Sequence, residues 1–145
     1  MILNINSETS KLKEVLIGNS YNFKSPLNFR DLYDPTSLLN YLKGKYPNKF
    51  RLQSQLLELK KILIKYGVKV HELDTEDTNQ IFARDLGFVI DDNFIVSSII
   101  PDREKELNGL RSILSNIKNV IKLPKSAHIE GCLLYTSDAA DEFSC

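Results

Sequence analysis

The chain has 145 residues, of which 42% are hydrophobic and 26% are charged, as is usual for a single globular domain. Its 19 basic and 19 acidic residues cancel, which excludes a general nucleic-acid binder because such proteins need a basic face. No apolar run approaches the ~20 residues of a membrane-spanning helix, and the amino terminus lacks the pattern of a signal peptide. We therefore expect a cytoplasmic protein without nucleic-acid or membrane partners.

The first third of the chain contains one predicted strand and one long polar segment. The stretch KLKEVLIG (residues 11–18) is rich in aliphatic residues and ends at a glycine, which predicts a strand. Residues 21–50 are polar and interrupted by prolines, and a run of this kind inside a domain is often functional, for example as a lid. Within it, Thr36 or Ser37 is predicted to cap a short helix through SLLNYLKG.

Helical and strand periodicity alternate in the middle of the chain. Leucines and a tyrosine recur every three or four residues from Leu52 to Tyr66, which predicts an amphipathic helix that ends at Gly67. The next stretch, VKVHEL (residues 68–73), alternates apolar and polar residues and is predicted to be a half-buried strand. Residues 75–79 are acidic and predict a loop.

A hairpin and a second helix follow. The stretch GFVIDDNFIVSS (residues 87–98) has two β-rich runs around Asp91-Asp92-Asn93, which predicts a hairpin with its turn at these residues. Pro101 opens a predicted helix whose apolar stripe extends to Ile117. After it, NVIKLP (residues 119–124) predicts another short strand.

The two predicted helices share a sequence pattern. Residues 56–63 and 107–114 both have the form L-x-x-L-basic-x-I-L, and each segment precedes a predicted strand. Self-similarity of this size is typical of stacked strand–helix–strand modules, as in a propeller. Two amphipathic helices also resemble each other by chance, so the pattern alone leaves both explanations open.

The composition changes after Gly131. The tail CLLYTSDAADEFSC (residues 132–145) has no Lys or Arg, and residues 132–142 match the translation of a transposon-based sequencing-library adaptor. We therefore expect residues 1–131 to be the N-terminal part of a longer domain and the tail to be non-native. A thiol, an imidazole and a carboxylate within residues 128–132 would suggest a catalytic triad. The adaptor assignment excludes it, because the thiol belongs to the tail.

Four residues are suited to bind a ligand that carries a flat cation and a carboxylate. Asp85 precedes a predicted strand, and a carboxylate pairs well with a planar guanidinium; a turn-forming aspartate or a pair with Arg84 is the simpler explanation. Glu130 offers a second carboxylate, or is a solvated loop residue. Phe82 stacks on the cation, or is a core aromatic. Arg103 gains nothing from the helix dipole at a helix start, so it either receives a ligand carboxylate or is simply solvated.

Other chemistries have no support in the sequence. His71 and His128 have no partners at the spacing of metal ligands, and we predict that both are structural. The sequence contains no Walker loop, Rossmann glycine pattern, CxxC pair or HExxH motif. We therefore expect neither a metal nor a cofactor.

Three motifs, in order, resemble those of one enzyme superfamily. The stretch SETSKLKEVLIG (residues 7–18) is similar to its first strand, FARD (82–85) to its F-x-R-D motif, and IEG (129–131) to the start of its I-E-G-G-D or I-E-G-G-N motif. The segment Glu8 to Gly131 thus resembles the guanidine-modifying amidinotransferase and amidinohydrolase (pentein) superfamily, which includes arginine deiminase and dimethylarginine dimethylaminohydrolase. The resemblance implies an α/β fold: part of a five-bladed α/β propeller of ββαβ modules, of which this chain would hold somewhat more than two.

The resemblance also implies a covalent chemistry on a small guanidino substrate. In the superfamily a cysteine thiolate attacks the guanidinium carbon, a histidine acts as acid and base, and two carboxylates hold the guanidinium. By match to the motifs, Asp85 and Glu130 would be these carboxylates. Phe82 would line the pocket, and Arg103 would bind the substrate's carboxylate.

The family's histidine and cysteine would lie downstream of Gly131, where this sequence departs from the motif. The chain alone is therefore expected to be inactive. For the parent enzyme, hydrolysis of arginine or a related guanidino compound is favoured over amidino transfer. The alternative is a small non-catalytic α/β binding or interaction module.

Overall fold

The computed structural model describes residues 3–7, 9–24, 32, 35–74 and 80–127. This part of the chain is a mixed α/β structure with two small sheets, one of two strands and one of three. The predicted α/β class is therefore confirmed. The acidic loop predicted at 75–79 lies outside the described residues.

The first unit is a parallel pair of strands joined by helices. Strands β1 (Glu14–Ile17) and β2 (Lys69–Glu72) pair in parallel, with Val15 opposite Val70. A parallel pair requires a long crossover connection, and here it contains two helices. These are α1 (Pro35–Leu42) and α2 (Lys49–Lys65).

The second unit combines a hairpin with a parallel crossover. Its hairpin strands are antiparallel, and its last strand returns parallel to the second of them, so the sheet order is β3-β4-β5. A 3-10 helix of ten residues, which we call the Arg103 helix, and one α-helical turn make the crossover. The elements are α3 (Ala83–Leu86), β3 (Gly87–Ile90), β4 (Asn93–Val96), the Arg103 helix (Pro101–Leu110), α4 (Arg111–Leu114) and β5 (Val120–Lys122).

Most predicted elements are confirmed, although the long helix begins at Lys49, three residues before the predicted apolar stripe. The strands at 11–18, 68–73 and 119–124, the hairpin at 87–98 and the long helix all form. Gly67, predicted to end that helix, has a φ of 77°, a left-handed conformation that glycine adopts without steric cost. The repeated L-x-x-L pattern lies in both crossovers, so each copy belongs to a strand–helix–strand unit.

Two helix predictions need correction. The short helix begins at Pro35, whose fixed φ suits the first helical position, so Thr36 and Ser37 lie inside the helix and do not cap it. The second predicted helix is wound as a 3-10 helix through Leu110 before its single α turn. The tighter winding aligns side chains three residues apart, and it brings Gly109 against a buried side chain described below.

The hydrophobic cluster around Leu86 and Leu110 lies mainly in the second unit. Leu86 and Leu110 have no exposed surface, and they pack with strand β4 and the end of the crossover. By contrast, α2 has no buried residue, although its predicted apolar face is partly covered. The candidate site is built on this second unit. The buried core residues are Leu73, Leu86, Phe94, Val96, Ile99, Leu110, Ile113 and Ile117.

Candidate functional site

Asp85 lies on the single turn of α3, immediately before the hairpin. The next residue, Leu86, is fully buried in the core, and its carbonyl oxygen accepts a hydrogen bond from Ser97 N at 3.1 Å. These contacts fix the backbone beside Asp85. Its side chain is mostly buried, with 16% of its surface exposed. The carboxylate is therefore held in place by the core on its main-chain side.

Arg103 binds Asp85 and a second carboxylate at once. Its Nη1 donates a hydrogen bond to Asp85 Oδ2 at 3.0 Å. Its Nε and Nη2 donate to Glu106 Oε1 at 2.9 Å and to Glu106 Oε2 at 2.8 Å. The second pair of bonds is the bidentate geometry in which arginine and carboxylate interact most strongly. The guanidinium thus bridges α3 and the Arg103 helix.

Glu106 is a site residue that the sequence analysis missed. It is only 2% exposed, and a buried carboxylate is costly unless it is paired and hydrogen-bonded. The available signal was the R-x-x-E spacing, because residues three apart stack over one another in a 3-10 helix. In an α-helix the same spacing is typical of an ordinary exposed ion pair, so the sequence alone does not indicate a buried site residue.

Phe82 lies against the same guanidinium. The Cζ atom of Arg103 is 5.4 Å from the centre of the Phe82 ring, within the range of a cation–π interaction. The ring is 48% exposed, so it is not a core aromatic. Three of the four predicted site residues are therefore neighbours in space: Phe82, Asp85 and Arg103.

Gln80 fixes the segment that carries Phe82. It is fully buried, and its Nε2 donates a hydrogen bond to the Glu106 carbonyl oxygen at 2.9 Å. Its own carbonyl oxygen accepts from Asn19 N at 2.9 Å. Glycines allow this close packing, since a Cβ at Gly18 would overlap the backbone of Gln80 and a Cβ at Gly109 would overlap its side chain.

The site carries a net negative charge. Asp85 and Glu106 contribute two carboxylates and Arg103 contributes one guanidinium, which leaves one negative charge. The hydrogen bonds that Arg103 donates to Glu106, reinforced by the one to Asp85, raise the pKa of Arg103 above its usual value. The Arg103 guanidinium is therefore cationic at neutral pH.

Three of the N–H bonds of Arg103 point to protein carboxylates. The fourth predicted residue, Glu130, and His128 lie outside the described residues. His71, predicted to be structural, has its Nε2 2.7 Å from Glu14 Oε2. That contact links the two strands of the first sheet.

A separate cavity of about 200 Å³ opens between the end of β1 and α2. Lys60 and Glu72 form an ion pair at its wall, and the hydrogen bond with Glu72 raises the pKa of Lys60. The two charges at this wall satisfy each other, whereas the Asp85 site retains an excess negative charge. The cavity is lined by Ile17, Gly18, Asn19, Ser20, Tyr21, Gln53, Leu56, Leu57, Lys60 and Glu72.

The described residues offer neither a metal site nor a membrane-spanning helix. Among residues 3–7, 9–24, 32, 35–74 and 80–127, no three His, Cys, Asp or Glu side chains are grouped to hold a metal ion. In the same ranges, no helix is both long enough and apolar enough to cross a membrane.

The fold is similar to the folds of several solved enzyme structures. The structure is similar to SxtG, an amidinotransferase of Microseira wollei, with a TM-score of 0.60, 19% identity and 84% of this chain covered. It is also similar to the N-terminal domain of ArgZ, a cyanobacterial arginine dihydrolase, bound to its product, with a TM-score of 0.62, 17% identity and 83% coverage. A third similar structure is AgrE with ornithine and NAD+, with a TM-score of 0.62, 19% identity and 81% coverage. The predicted resemblance to the guanidine-modifying superfamily is confirmed at the level of the fold.

The chain spans only part of these proteins. It covers 43% of SxtG, 43% of the ArgZ domain and 17% of AgrE. Scans against protein-family models and against curated proteins gave no match. The comparisons therefore show the fold of this segment and do not show the activity of a whole enzyme.

Proposed function

We propose that this chain is the N-terminal part of a cytoplasmic enzyme that acts on the guanidinium group of arginine or a related small molecule. One observation carries the proposal: Asp85 and Phe82 already hold a guanidinium, that of Arg103, by a 3.0 Å hydrogen bond and a 5.4 Å cation–π contact. A carboxylate and an aromatic ring are also what a guanidino substrate requires. The similarity in fold to an amidinotransferase and an arginine dihydrolase supports the same conclusion.

The proposed reaction is covalent. A cysteine thiolate attacks the guanidinium carbon, an amine or ammonia leaves with a proton from a histidine, and water adds to release the product. Asp85 and Glu130 hold the guanidinium through its N–H groups and orient its carbon toward the sulfur. Hydrolysis is preferred over transfer to an acceptor amine, and no cofactor takes part. The cysteine and the histidine belong to the part of the parent enzyme that follows residue 131.

The domain assignment follows from the same proposal. Residues 1–131 form part of an α/β propeller of ββαβ modules, and residues 132–145 are adaptor-derived. Two observations support the first statement: the second unit has the order β3-β4-helix-β5, and the chain covers 43% of SxtG and of the ArgZ domain. A partial propeller leaves its substrate site unfinished, so the chain alone should not turn over substrate.

The experiment is to recover the source gene and sequence it across codon 131. The proposal expects a glycine and then Asp or Asn, followed downstream by a histidine and a cysteine. The full protein should then release ammonia or an amine from a guanidino compound. Asp85→Asn should abolish turnover, whereas Asp102→Asn, the same change at an exposed position, should leave it unchanged.

Two results would contradict the proposal. If the genomic frame encodes CLLYTSDAADEFSC and stops, the adaptor assignment is wrong and catalysis by a downstream cysteine is excluded. If the Asp85→Asn protein retains full turnover, Asp85 does not hold the substrate. The first result would favour a non-catalytic binding module, which should also behave as a compact, cooperatively unfolding species.

A further inference from the structure

The cavity between the end of β1 and α2 lies where α/β proteins bind small molecules. Ile17 and Glu72, the last residues of the parallel strands β1 and β2, both line it. Ligands of α/β sheets bind outside the carboxyl ends of the strands. The volume of the cavity is about 200 Å³, and a cavity of about 150 Å³ already holds a molecule the size of benzene. Its position and its size therefore suit a small ligand.

The wall of the cavity combines apolar side chains with a buried hydroxyl group. Leu56 and Leu57 line it from α2. Ser20 lines it from the segment after β1, and within the described part of the chain the buried Oγ of Ser20 has no hydrogen-bond partner. A buried polar group without a partner is costly. The wall therefore favours a ligand that has both an apolar part and a polar part.

The ion pair of Lys60 and Glu72 at the wall retains hydrogen-bonding capacity. An ammonium has three N–H bonds and a carboxylate has about four acceptor positions, and within the described residues this pair uses one of each. The two side chains are 37% and 27% exposed. Both groups can therefore bind a ligand while they remain paired.

The neutrality of this pair selects the charge pattern of the ligand. A simple anion is attracted by Lys60 and repelled by Glu72 at nearly the same distance, so the two effects largely cancel. The same holds, with the signs reversed, for a simple cation. A ligand with both charges close together places each of them beside the opposite charge of the protein.

We propose that this cavity is a second ligand site, which binds the ammonium and carboxylate groups of a free amino acid with an aliphatic side chain. The carboxylate of the ligand lies beside Lys60, its ammonium lies beside Glu72, and its side chain packs on the apolar wall. The proposal does not rest on the proposed function, because neither Phe82 nor Asp85 lines the cavity.

The test compares a zwitterion with two analogues that each lack one charge. The protein encoded by the source gene, at its full length, is titrated by ¹⁵N–¹H NMR with L-leucine, with 4-methylpentanoate, which lacks the ammonium, and with 3-methylbutylamine, which lacks the carboxylate. The backbone amides of residues 18–21 report binding. We expect a Kd of about 0.1–1 mM for L-leucine. Each analogue should bind about tenfold more weakly, because it loses one charge-assisted contact.

The decisive variant is Lys60→Met combined with Glu72→Gln. It removes one positive and one negative charge from partly exposed positions, so the net charge is unchanged and no charge is left without its partner. The Kd of L-leucine should rise about tenfold. The matched control is Lys61→Met combined with Glu58→Gln, which removes an exposed ion pair of the same helix and should leave the Kd unchanged.

Three results would overturn the proposal. The first is equal binding of L-leucine and either analogue, or no binding of L-leucine by the wild type up to about 10 mM. The second is an unchanged Kd of L-leucine in the Lys60 and Glu72 double variant.

The third is a rise in the Kd of L-leucine in Asp85→Asn as large as in the double variant, which would place L-leucine at the Asp85 site. We expect Asp85→Asn to bind L-leucine as the wild type does. Turnover of a guanidino compound by Asp85→Asn tests the proposed function alone, so the two proposals can fail separately.

Discussion

The contact between Gly109 and Gln80 predicts a specific loss of stability. A Cβ at residue 109 would overlap the Gln80 side chain, with Cδ at 2.7 Å and Nε2 at 2.8 Å. A flexible side chain normally moves aside, but Gln80 has no exposed surface, and its Nε2 is bonded to the Glu106 carbonyl oxygen. Gly109→Ala should therefore displace the buried amide from its hydrogen bond.

The magnitude follows from three effects. Overpacking a filled site costs about 1–3 kcal/mol. A buried donor or acceptor that loses its partner costs about 1–3 kcal/mol. Alanine loses less backbone entropy than glycine on folding, which returns about 0.5–1 kcal/mol. We expect the free energy of unfolding to fall by about 2–4 kcal/mol for Gly109→Ala.

The assay is a double-mutant cycle with urea denaturation followed by circular dichroism. In a Gln80→Ala background the overlap is gone, so adding Gly109→Ala should be nearly neutral. The coupling energy between the two positions should then be about 1–3 kcal/mol. An equal cost of Gly109→Ala in both backgrounds would refute the reasoning, because the loss could not come from the contact with Gln80.

Three further predictions concern stability. Leu110→Ala should lower the free energy of unfolding by about 2–5 kcal/mol because Leu110 is fully buried. Leu57→Ala, at a half-exposed position on α2, should change it by under about 0.5 kcal/mol. Equal losses for the two variants in urea denaturation would contradict this prediction. Asn48→Ala removes the side-chain cap of α2 and should cost about 1 kcal/mol, measured by the same method. The hydrogen bond with His71 lowers the pKa of Glu14 below its usual value of 4.5. This carboxylate therefore stabilises the fold only while it is ionised. The Tm advantage of the wild type over Glu14→Gln should be present at neutral pH and should be lost as the pH falls from 4.5 through the lowered pKa of Glu14.

The sequence predicted the strands and the long helix because each has its own local pattern. The run at 11–18 and the alternation at 68–73 indicate strands without reference to any other segment, and the signal of Gly67 at the end of the long helix is local as well. Their pairing could not be predicted in the same way. Parallel register between β1 and β2 depends on a crossover of about fifty residues, which has no signature in either strand.

The sequence did not predict the 3-10 winding of the Arg103 helix, and the reason is physical. Its apolar spacing fits an α-helix, and 3-10 runs longer than three or four residues are uncommon. What favours the tighter form here lies outside the segment: Gln80 packs against Gly109 and bonds the Glu106 carbonyl oxygen. A sequence pattern within 101–110 cannot carry that information.

The sequence predicted several residues that are grouped at the candidate site, but it did not predict the contacts between them. The resemblance at FARD drew attention to Phe82 and Asp85, and the structure places Arg103 beside both. The sequence did not predict that Arg103 pairs with a buried Glu106. Burial of a carboxylate depends on the surrounding core and not on its neighbours in sequence.

The hairpin connects the segment of Asp85 to the segment of Arg103, so the geometry of the site depends on the hairpin turn. That turn lies at the opposite end of the hairpin from the site. Asp91 has a φ of 53°, a conformation that non-glycine residues adopt rarely and aspartate tolerates better than most. This turn fixes the register in which Gly87 is opposite Val96. A slip of one residue would turn every side chain of one strand to the other face and would move the start of the Arg103 helix relative to α3. The geometry at Asp85 therefore depends on backbone conformation at a turn that contributes no side chain to the site.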